Sequence, residues 1–330
     1  MKSIERVLRK YHVNANSSLN KMLLVVVLIF SVTSVMASNE LSEKNKADFF
    51  NVIDDFQTQS KSSSTYQTDK MNALSHVLLD VVYVGGSVGE GEGGRYDKDP
   101  LVRFDEFDCT TYVETILAGM MSATSDEFES RLMRLRYKDG HVSFVSRNHF
   151  PSLDWLPNNQ DKLVDITAIV AGDAVLEAKA IIDKAAWYQH LKDNVIHCDS
   201  ATSEDCQSLL AQLQAEGQVF QPESASLPYV PLTHLYHDEN RKVNHALLER
   251  IPSGSVINMV RPDWALKKWI GTNMNVSHQG IAIRKNDTLY LRHASVVHKK
   301  VLDENFADYF ARFSSASSLK GFNVQMLKPE

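Results

Sequence analysis

Residues 103–120 read RFDEFDCTTYVETILAGM, and this stretch decides the predicted fold. It predicts a helix that begins at Cys109, because apolar residues recur at helical spacing after it. The N–H groups at a helix N-terminus have no partners within the helix, and they lower the pKa of a thiol placed there. Cys109 is therefore a candidate nucleophile, and an inert core thiol is the alternative. The apolar positions are Val113, Ile116, Leu117 and Met120.

The clearest β signal is a predicted hairpin near the end of the chain. Strand-forming residues fill Val276–Arg284 and Leu289–Ser295, and Lys285-Asn286-Asp287 lies between them. A two-residue turn places His278 of the first strand and His293 of the second on one face. They are directly opposite or diagonal, depending on which two residues form the turn. An odd-length loop would place the two histidines on opposite faces of the hairpin, but we expect them on the same face.

A thiol and an imidazole together can cleave an amide bond. The histidine takes the thiol proton as the sulfur attacks, and it later protonates the leaving amine. In this chain His278 would be that base, and His293 would fix its tautomer through a ring-to-ring hydrogen bond. The N–H groups at the start of the Cys109 helix would stabilise the oxyanion. Buried histidines with structural roles are the alternative at both positions.

Short motifs across the chain carry a resemblance to two related groups of proteins. NlpC-type papain-like cysteine peptidases have motifs similar to Tyr83-Val84-Gly85-Gly86, Phe107-Asp108-Cys109-Thr110, Ser277-His278-Gln279-Gly280-Ile281 and His293-Ala294-Ser295. The bacterial N-acetylmuramoyl-L-alanine amidase-like family, long a domain of unknown function, resembles the chain more closely, through Phe107–Glu114, Arg147-Asn148-His149-Phe150, Asp154-Trp155 and the final His-Ala-Ser. The resemblance spans roughly Leu74–Leu327, which favours one domain.

The resemblance implies an α+β papain-like fold of the NlpC type, with the Cys109 helix packed on an antiparallel sheet. It implies Cys109 as nucleophile, His278 as general base and His293 as the orienting residue. Tyr83 matches a tyrosine near the thiol that assists the oxyanion or contacts substrate. Asp108 matches an acidic position that binds a free peptide amine in several relatives, and the N-cap of the helix is an equal alternative for it.

Other positions within the resemblance have two alternative roles. Arg147, Asn148 and His149 either contact substrate or tie down a loop, and their exposure would decide between the two. Gln279 departs from the pattern, because relatives often have an aliphatic residue there. We expect this departure to affect packing more than chemistry.

The implied activity is hydrolysis of bacterial cell-wall peptidoglycan through a thioester on Cys109. The amide between N-acetylmuramic acid and L-alanine is the first candidate bond. A stem-peptide bond from D-glutamate to the diamino acid is the second, and a free-amine role for Asp108 would favour it. A non-catalytic envelope binding protein and an acyltransferase are further alternatives. The expected partner is peptidoglycan or muropeptides, and we expect a monomer.

Composition and the N-terminus predict an exported globular protein. The chain has 330 residues and a net charge of -6, which argues against a polybasic nucleic-acid binder. Basic residues precede the apolar run Met22–Phe30, and Val35-Met36-Ala37 forms a small-residue cleavage pattern, so residues 1–37 are a predicted signal peptide. A membrane span would need about 20 apolar residues, and Ser31, Thr33 and Ser34 break this run, so an uncleaved anchor is the weaker alternative. Residues 38–330, with a charge of about -10, form the predicted single domain, periplasmic or secreted.

The remaining cysteines and histidines suggest a disulfide and, more weakly, a metal site. In an oxidising compartment, Cys198 and Cys206 are close enough in sequence for a short-loop disulfide, which leaves Cys109 unpaired. Zinc ligation by His234, His237 and His245 is a weak alternative, since no His-Glu-x-x-His motif is present. No Walker or dinucleotide-binding glycine motif appears either, so we predict no metal and no cofactor.

Periodicity predicts several further elements. A capping box at Thr124–Glu127 would start a helix, and a strand is expected around Val142 and Phe144. The other predicted helices are Asn39–Phe56, Asp69–Val82, Asp183–Leu191 and Ser208–Glu216, and the other predicted strands are Val164–Leu176 and Ser255–Val260.

Overall fold

The computed structural model describes residues 40–59, 63, 65–196, 203–237 and 242–328. The predicted signal peptide, residues 1–37, lies outside this part of the chain, and so does Cys198. The leader and the Cys198–Cys206 disulfide therefore stay predictions. Within the described ranges, no helix combines the length and the apolar character needed to cross a bilayer.

Longer helices dominate the first part of the chain, and most of the later helices are short connections between strands. The central helix begins at Cys109, as predicted. The helices are α1 (40–57), α2 (Tyr66–Val77), α3 (Cys109–Met121), α4 (Phe128–Arg136), α5 (Leu156–Asn158), α6 (Thr167–Ala171), α7 (Lys184–His190), α8 (Ser203–Gly217), α9 (Leu232–Leu235), α10 (His245–Glu249), α11 (Lys267–Ile270) and α12 (Phe306–Ala311).

The strands form one large sheet and a separate two-stranded ribbon. They are β1 (Val82–Tyr83), β2 (Glu106–Phe107), β3 (Leu163–Asp165), β4 (Leu176–Ile182), β5 (Glu223–Pro231), β6 (Tyr236–His237), β7 (Lys242–Val243), β8 (Val256–Trp264), β9 (Met274–Lys285), β10 (Thr288–Ser295), β11 (Lys300–Asn305) and β12 (Gly321–Leu327). The sheet order is β2-β1-β11-β10-β9-β8-β12-β5-β4, and β3 also pairs with β12. The pairs are antiparallel except β1 with β2, so the α+β prediction with an antiparallel sheet is confirmed.

Helix α3 is the buried centre of the helical layer. Every side chain from Thr111 to Met121 is buried, because α1 and α2 cover one side of the helix and the sheet covers another. Gly119 allows α1 to approach closely, since a Cβ atom there would lie 2.7 Å from the ring of Phe49. The helix start is thereby held at a fixed place against the sheet.

An apolar core lies on each face of the sheet. The core on the α3 face includes Phe49, Ile116, Leu117, Ile281 and Ala294. The core on the opposite face includes Met259, Ala282, Leu291, Phe306 and Phe310, the last two from α12. Alternate residues of β9 and β10 therefore point into different cores, as the two-residue period of a strand requires.

The predicted β9–β10 hairpin is confirmed, and its register is the diagonal one. Thr288 pairs with Lys285, so Asn286 and Asp287 form the two-residue turn, and both have positive φ. The ladder continues to Arg292, which pairs with Ile281. His293 and His278 consequently share the α12 face of the sheet.

Two predicted elements are wrong because side chains form local turns. Around Val142 and Phe144 the chain makes bends, since Ser143 accepts a hydrogen bond from the Ser146 N–H at 3.2 Å and the Ser146 hydroxyl returns one to its carbonyl. The strand predicted over Val164–Leu176 is broken after β3, where Asp165 accepts a hydrogen bond from the Thr167 N–H at 2.8 Å.

Two predicted helix ends also differ from the structure. Thr124 makes no capping hydrogen bond, and a 3₁₀ turn at Ser125–Glu127 precedes α4. The helix predicted to reach Val82 ends at Val77, because Val82 pairs with β2 and β11.

Candidate active site

Asp108 and Thr111 fix the start of α3 and with it the position of Cys109. The Asp108 carboxylate accepts a 2.8 Å hydrogen bond from the Thr111 N–H, and the Thr111 hydroxyl accepts one of 2.9 Å from the Asp108 N–H. This reciprocal pair satisfies donors that a helix start leaves without partners. Asp108 is thus the N-cap of α3, and its predicted substrate contact stays a hypothesis.

The Cys109 thiol is only partly exposed, and its surroundings favour the neutral form. Burial, followed by the charge of Asp108, raises the pKa of the thiol to about 12. Hydrogen bonds from the Gln279 backbone and from Thr110 act in the opposite direction. The expectation that the helix start lowers this pKa is therefore wrong, because exclusion of water outweighs it. The thiol also lies against the backbone of the residue that follows His278.

His278 and His293 form the predicted ring-to-ring hydrogen bond. His278 Nε2 and His293 Nδ1 are 2.6 Å apart, and the two rings are nearly perpendicular. His293 Nε2 lies 2.8 Å from Glu304 Oε2, which adds a third member from β11. Burial, followed by the charge of His293, lowers the pKa of His278 to about 3, so its ring is neutral at pH 7.

Glu304 sets the tautomers of both histidines. Although burial acts to raise it, the pKa of Glu304 is lowered to about 2 by the hydrogen bond from His293 and by Arg312, which lies 2.5 Å away. A carboxylate only accepts, so His293 Nε2 donates to it. For neutral rings, His293 Nδ1 then accepts from His278 Nε2, and His278 Nδ1 keeps its lone pair. That nitrogen can therefore act as a base.

A chain of buried amides ties the start of α3 to β9. Thr110 Oγ1 donates to Gln279 Oε1 at 2.7 Å, and Gln279 Nε2 donates to Asn258 Oδ1 at 2.7 Å. Asn258 Nδ2 donates in turn to Asn323 Oδ1 at 3.0 Å. All three amide side chains are fully buried. Gln279 therefore makes directional hydrogen bonds, which corrects the expectation that it affects mainly packing.

Tyr83 lies beside the thiol, as the resemblance implied. It pairs with Phe107 in the short β1–β2 ladder, and Phe107 precedes Cys109 by two residues. Burial, then the nearby charges of Cys109 and Asp108, raise the pKa of Tyr83 to about 12. Its hydroxyl group therefore stays protonated and able to donate a hydrogen bond at neutral pH.

The contacts of Arg147, Asn148 and His149 hold their loop against neighbouring segments of the chain. Arg147 Nη1 donates to the Val88 carbonyl at 2.8 Å, and Asn148 Nδ2 donates to the Leu135 carbonyl at 2.9 Å. His149 Nε2 lies 2.9 Å from the Phe144 carbonyl, and burial lowers the pKa of this ring to about 3. A substrate role for these three residues stays a hypothesis.

The histidines considered for zinc lie apart from this site. His234 is in α9, His237 is in β6 and His245 begins α10. Among the residues that the structure describes, no group of three or more His, Cys, Asp or Glu side chains is arranged to hold a metal ion.

Comparison with protein families identifies the chain. A family model described as "AmiA-like: N-acetylmuramoyl-L-alanine amidase-like" matches residues 73–315, which is more than half of the chain. The chain belongs to the N-acetylmuramoyl-L-alanine amidase-like family. Tyr83, Cys109, His278, His293 and Glu304 all lie within the matched residues. The comparison with curated proteins gave no match.

Solved structures resemble this amidase-like chain over most of its length. A Legionella pneumophila protein is 34% identical with a TM-score of 0.81, and the alignment covers 89% of this chain and 97% of that one. An N-acetylmuramoyl-L-alanine amidase from Bacteroides uniformis is 23% identical with a TM-score of 0.55, and the alignment covers 80% and 99%. The second similarity concerns the fold alone.

Glu304 is the member of this amidase-like site that sequence reasoning missed. It lies in β11, whose residues Lys300–Asn305 are mostly polar and do not stand out as a strand. The signal available was chemical, because a histidine that orients another histidine itself needs a partner for its second nitrogen. A carboxylate on the strand next to β10 would meet that need.

Proposed function

We propose that this protein is a cell-wall amidase that hydrolyses the bond between N-acetylmuramic acid and L-alanine. Cys109 would be its nucleophile, and a thioester would be its intermediate. Membership in the amidase-like family supports the reaction class. The observation that carries the cysteine mechanism is the line of hydrogen bonds from His278 through His293 to Glu304, which leaves Nδ1 of His278 unprotonated and able to accept a proton.

The acylation step transfers one proton from sulfur to nitrogen. As Cys109 Sγ bonds to the amide carbon, its proton passes to His278 Nδ1. The tetrahedral intermediate then breaks its C–N bond, and the alanine nitrogen leaves as an amine with that proton. Because Cys109 and His278 both start neutral, the charge that develops on the imidazole is balanced by Glu304 through His293.

The deacylation step restores the Cys109 thiol and the neutral His278 imidazole. His278 takes a proton from water as the water oxygen bonds to the thioester carbon. The C–S bond breaks, and the sulfur regains a proton from His278. The oxyanion of each step would be stabilised by N–H groups at the start of α3 and by the protonated hydroxyl of Tyr83.

We also propose the fold type and the location of the protein. The helix α3 with Cys109 at its start, packed on the sheet that bears the histidines, supports a papain-like fold of the NlpC type. The predicted signal peptide would deliver the protein to the periplasm or the exterior, where peptidoglycan lies.

The test is mass spectrometry of defined muropeptides after incubation with the protein lacking residues 1–37. Release of an intact stem peptide that begins with L-alanine supports the amidase, and a cut within the stem supports the endopeptidase instead. Cys109→Ala should remove all hydrolysis while it keeps the fold, and Cys109→Ser is the matched conservative variant.

Three further outcomes would contradict hydrolysis by this site. A product joined to an added amine would support acyl transfer. No product from the folded wild-type protein would support the non-catalytic binding alternative, and hydrolysis that persists in Cys109→Ala would exclude the cysteine mechanism.

A further inference from the structure

The strands β8 and β9 extend past the histidines as an arm. Met259 pairs with His278, and beyond this pair the register shifts twice before Trp264 pairs with Met274. Arg261 lies on this arm, two residues after Met259. The arm thus begins at the proposed base and places a cation close to it along the strand.

Arg261 is held between aromatic rings and has no acidic partner among the residues that the structure describes. Its guanidinium carbon is 5.0 Å from the centre of the Trp264 ring and 5.7 Å from that of Phe313. Nη1 donates to the Ser318 hydroxyl. In the described part of the chain, no carboxylate lies within ion-pair distance of this guanidinium, although the chain carries more acidic than basic residues. A positioned guanidinium without a carboxylate is suited to bind one from a ligand.

Aromatic side chains connect Arg261 to the histidines. The ring of Tyr309 packs 5.3 Å from that of His293 and 5.8 Å from that of Phe313, which contacts Arg261 in turn. Burial raises the pKa of Tyr309, and the titratable groups that affect this pKa include both Cys109 and Arg261. Tyr309 therefore lies between the thiol side of the site and the guanidinium.

We propose that Arg261 binds a carboxylate of the stem peptide, namely the free α-carboxylate of the γ-linked D-glutamate at its second position. This inference rests on the proposed function. That carboxylate is the first one after the scissile amide. Two extended residues span about 7 Å, and Arg261 likewise lies two strand residues from Met259, which pairs with His278. The guanidinium recognises a carboxylate through paired hydrogen bonds, and a carboxamide would lose the charge-assisted contact.

The test is calorimetric binding to Cys109→Ala, in which the ligand is not consumed. The matched ligands are N-acetylmuramoyl-L-alanyl-D-glutamate and its D-isoglutamine analogue, which differ only in that carboxylate. We expect the acid to bind about tenfold more tightly, and we expect Arg261→Gln in the same background to abolish the difference. Arg261→Lys keeps the charge without the paired geometry and should keep only part of the preference.

Lys268→Gln is the control, because it removes an exposed cation of α11, the helix that connects β8 to β9. It should keep the full preference. Equal binding of the two ligands by Cys109→Ala, no binding of either, or an unchanged preference in Arg261→Gln would overturn the proposal. A preference for the acid together with no hydrolysis by wild type would leave the Arg261 site standing and overturn the amidase. Hydrolysis by wild type without a preference for the acid would support the amidase and overturn the Arg261 site.

Discussion

Thr110 and Gln279, the residues that directly follow Cys109 and His278, are joined by a 2.7 Å hydrogen bond. Which group donates in this hydrogen bond is determined by a carboxylate in another strand. Asp165 accepts a 2.7 Å hydrogen bond from the Asn323 amide, so the Asn323 oxygen faces Asn258, and the same order continues to Gln279. A single carboxylate in β3 thereby orients three buried amides that end at the start of α3.

We predict that Gln279→Leu lowers kcat for muropeptide hydrolysis about tenfold or more, with a smaller change in KM. The substitution keeps the side-chain size but removes both hydrogen bonds, which frees the start of α3 from β9 and leaves Asn258 with an unpaired buried oxygen. We expect a loss of about 1 to 3 kcal/mol in the free energy of unfolding.

Ser277→Ala is the matched control, because Ser277 flanks His278 on its other side and makes only a 3.4 Å hydrogen bond. It should retain near wild-type kcat. Steady-state kinetics and urea unfolding measure both effects, and full kcat in Gln279→Leu would show that the link does not position the site.

We predict that Glu304→Gln lowers kcat/KM about 10- to 100-fold. A glutamine can still accept from His293, but it carries no charge to balance the imidazolium that forms during acylation. The comparison is with Asp308→Asn, which neutralises an exposed carboxylate on α12 and should leave the rate unchanged. If the two variants lose activity equally, the loss comes from the change in overall charge and not from the contact between Glu304 and His293.

We predict slow alkylation of Cys109 at neutral pH. Its pKa is raised to about 12, so the reactive thiolate is scarce at pH 7, and the rate with iodoacetamide should rise about tenfold per pH unit to beyond pH 9. Intact mass spectrometry follows the reaction, and Cys109→Ala gives the background. A rate that levels off below pH 8 would instead indicate a thiolate–imidazolium pair.

We predict that Glu90→Gln stabilises the protein above pH 7. Burial, more than the neighbouring charges, raises the pKa of Glu90 to about 7, and neither carboxyl oxygen makes a hydrogen bond of standard geometry with a described residue. The folded state therefore holds a proton that the unfolded state releases above its pKa of 4.5. Stability falls as pH rises from there to about 7 and stays lower beyond it.

In urea unfolding at pH 8, the free energy of unfolding of Glu90→Gln should exceed that of wild type by about 2 to 3 kcal/mol. This difference should disappear near pH 4.5. Glu92→Gln, at an exposed position of the same loop, should change neither value. Equal stability of Glu90→Gln and wild type at pH 8 would contradict the raised pKa.

Local patterns predicted the parts of the site that lie within one element. The helix start at Cys109 follows from periodicity after a capping residue, and the shared face of His278 and His293 follows from the two-residue turn at Asn286 and Asp287. Both depend on residues close in the sequence, where spacing alone fixes geometry.

The contacts between distant elements could not be predicted in this way. Gln279 meets Thr110 from 169 positions away, and Asn258 meets Asn323 from 65. Such pairs depend on strand order, which no single stretch of sequence records. The same holds for Glu304, which reaches His293 only because β11 lies beside β10.

The place of β12 imposes an order on assembly. This strand follows every other strand in the chain, yet it lies between β8 and β5 inside the sheet and supplies Asn323. A nascent chain that ends before residue 321 would have a gap in its sheet and no anchor for the amides that lead to Gln279. Synthesis of β12 is therefore the step that completes the hydrogen-bonded link between the start of α3 and β9, and a partly made chain would lack this link.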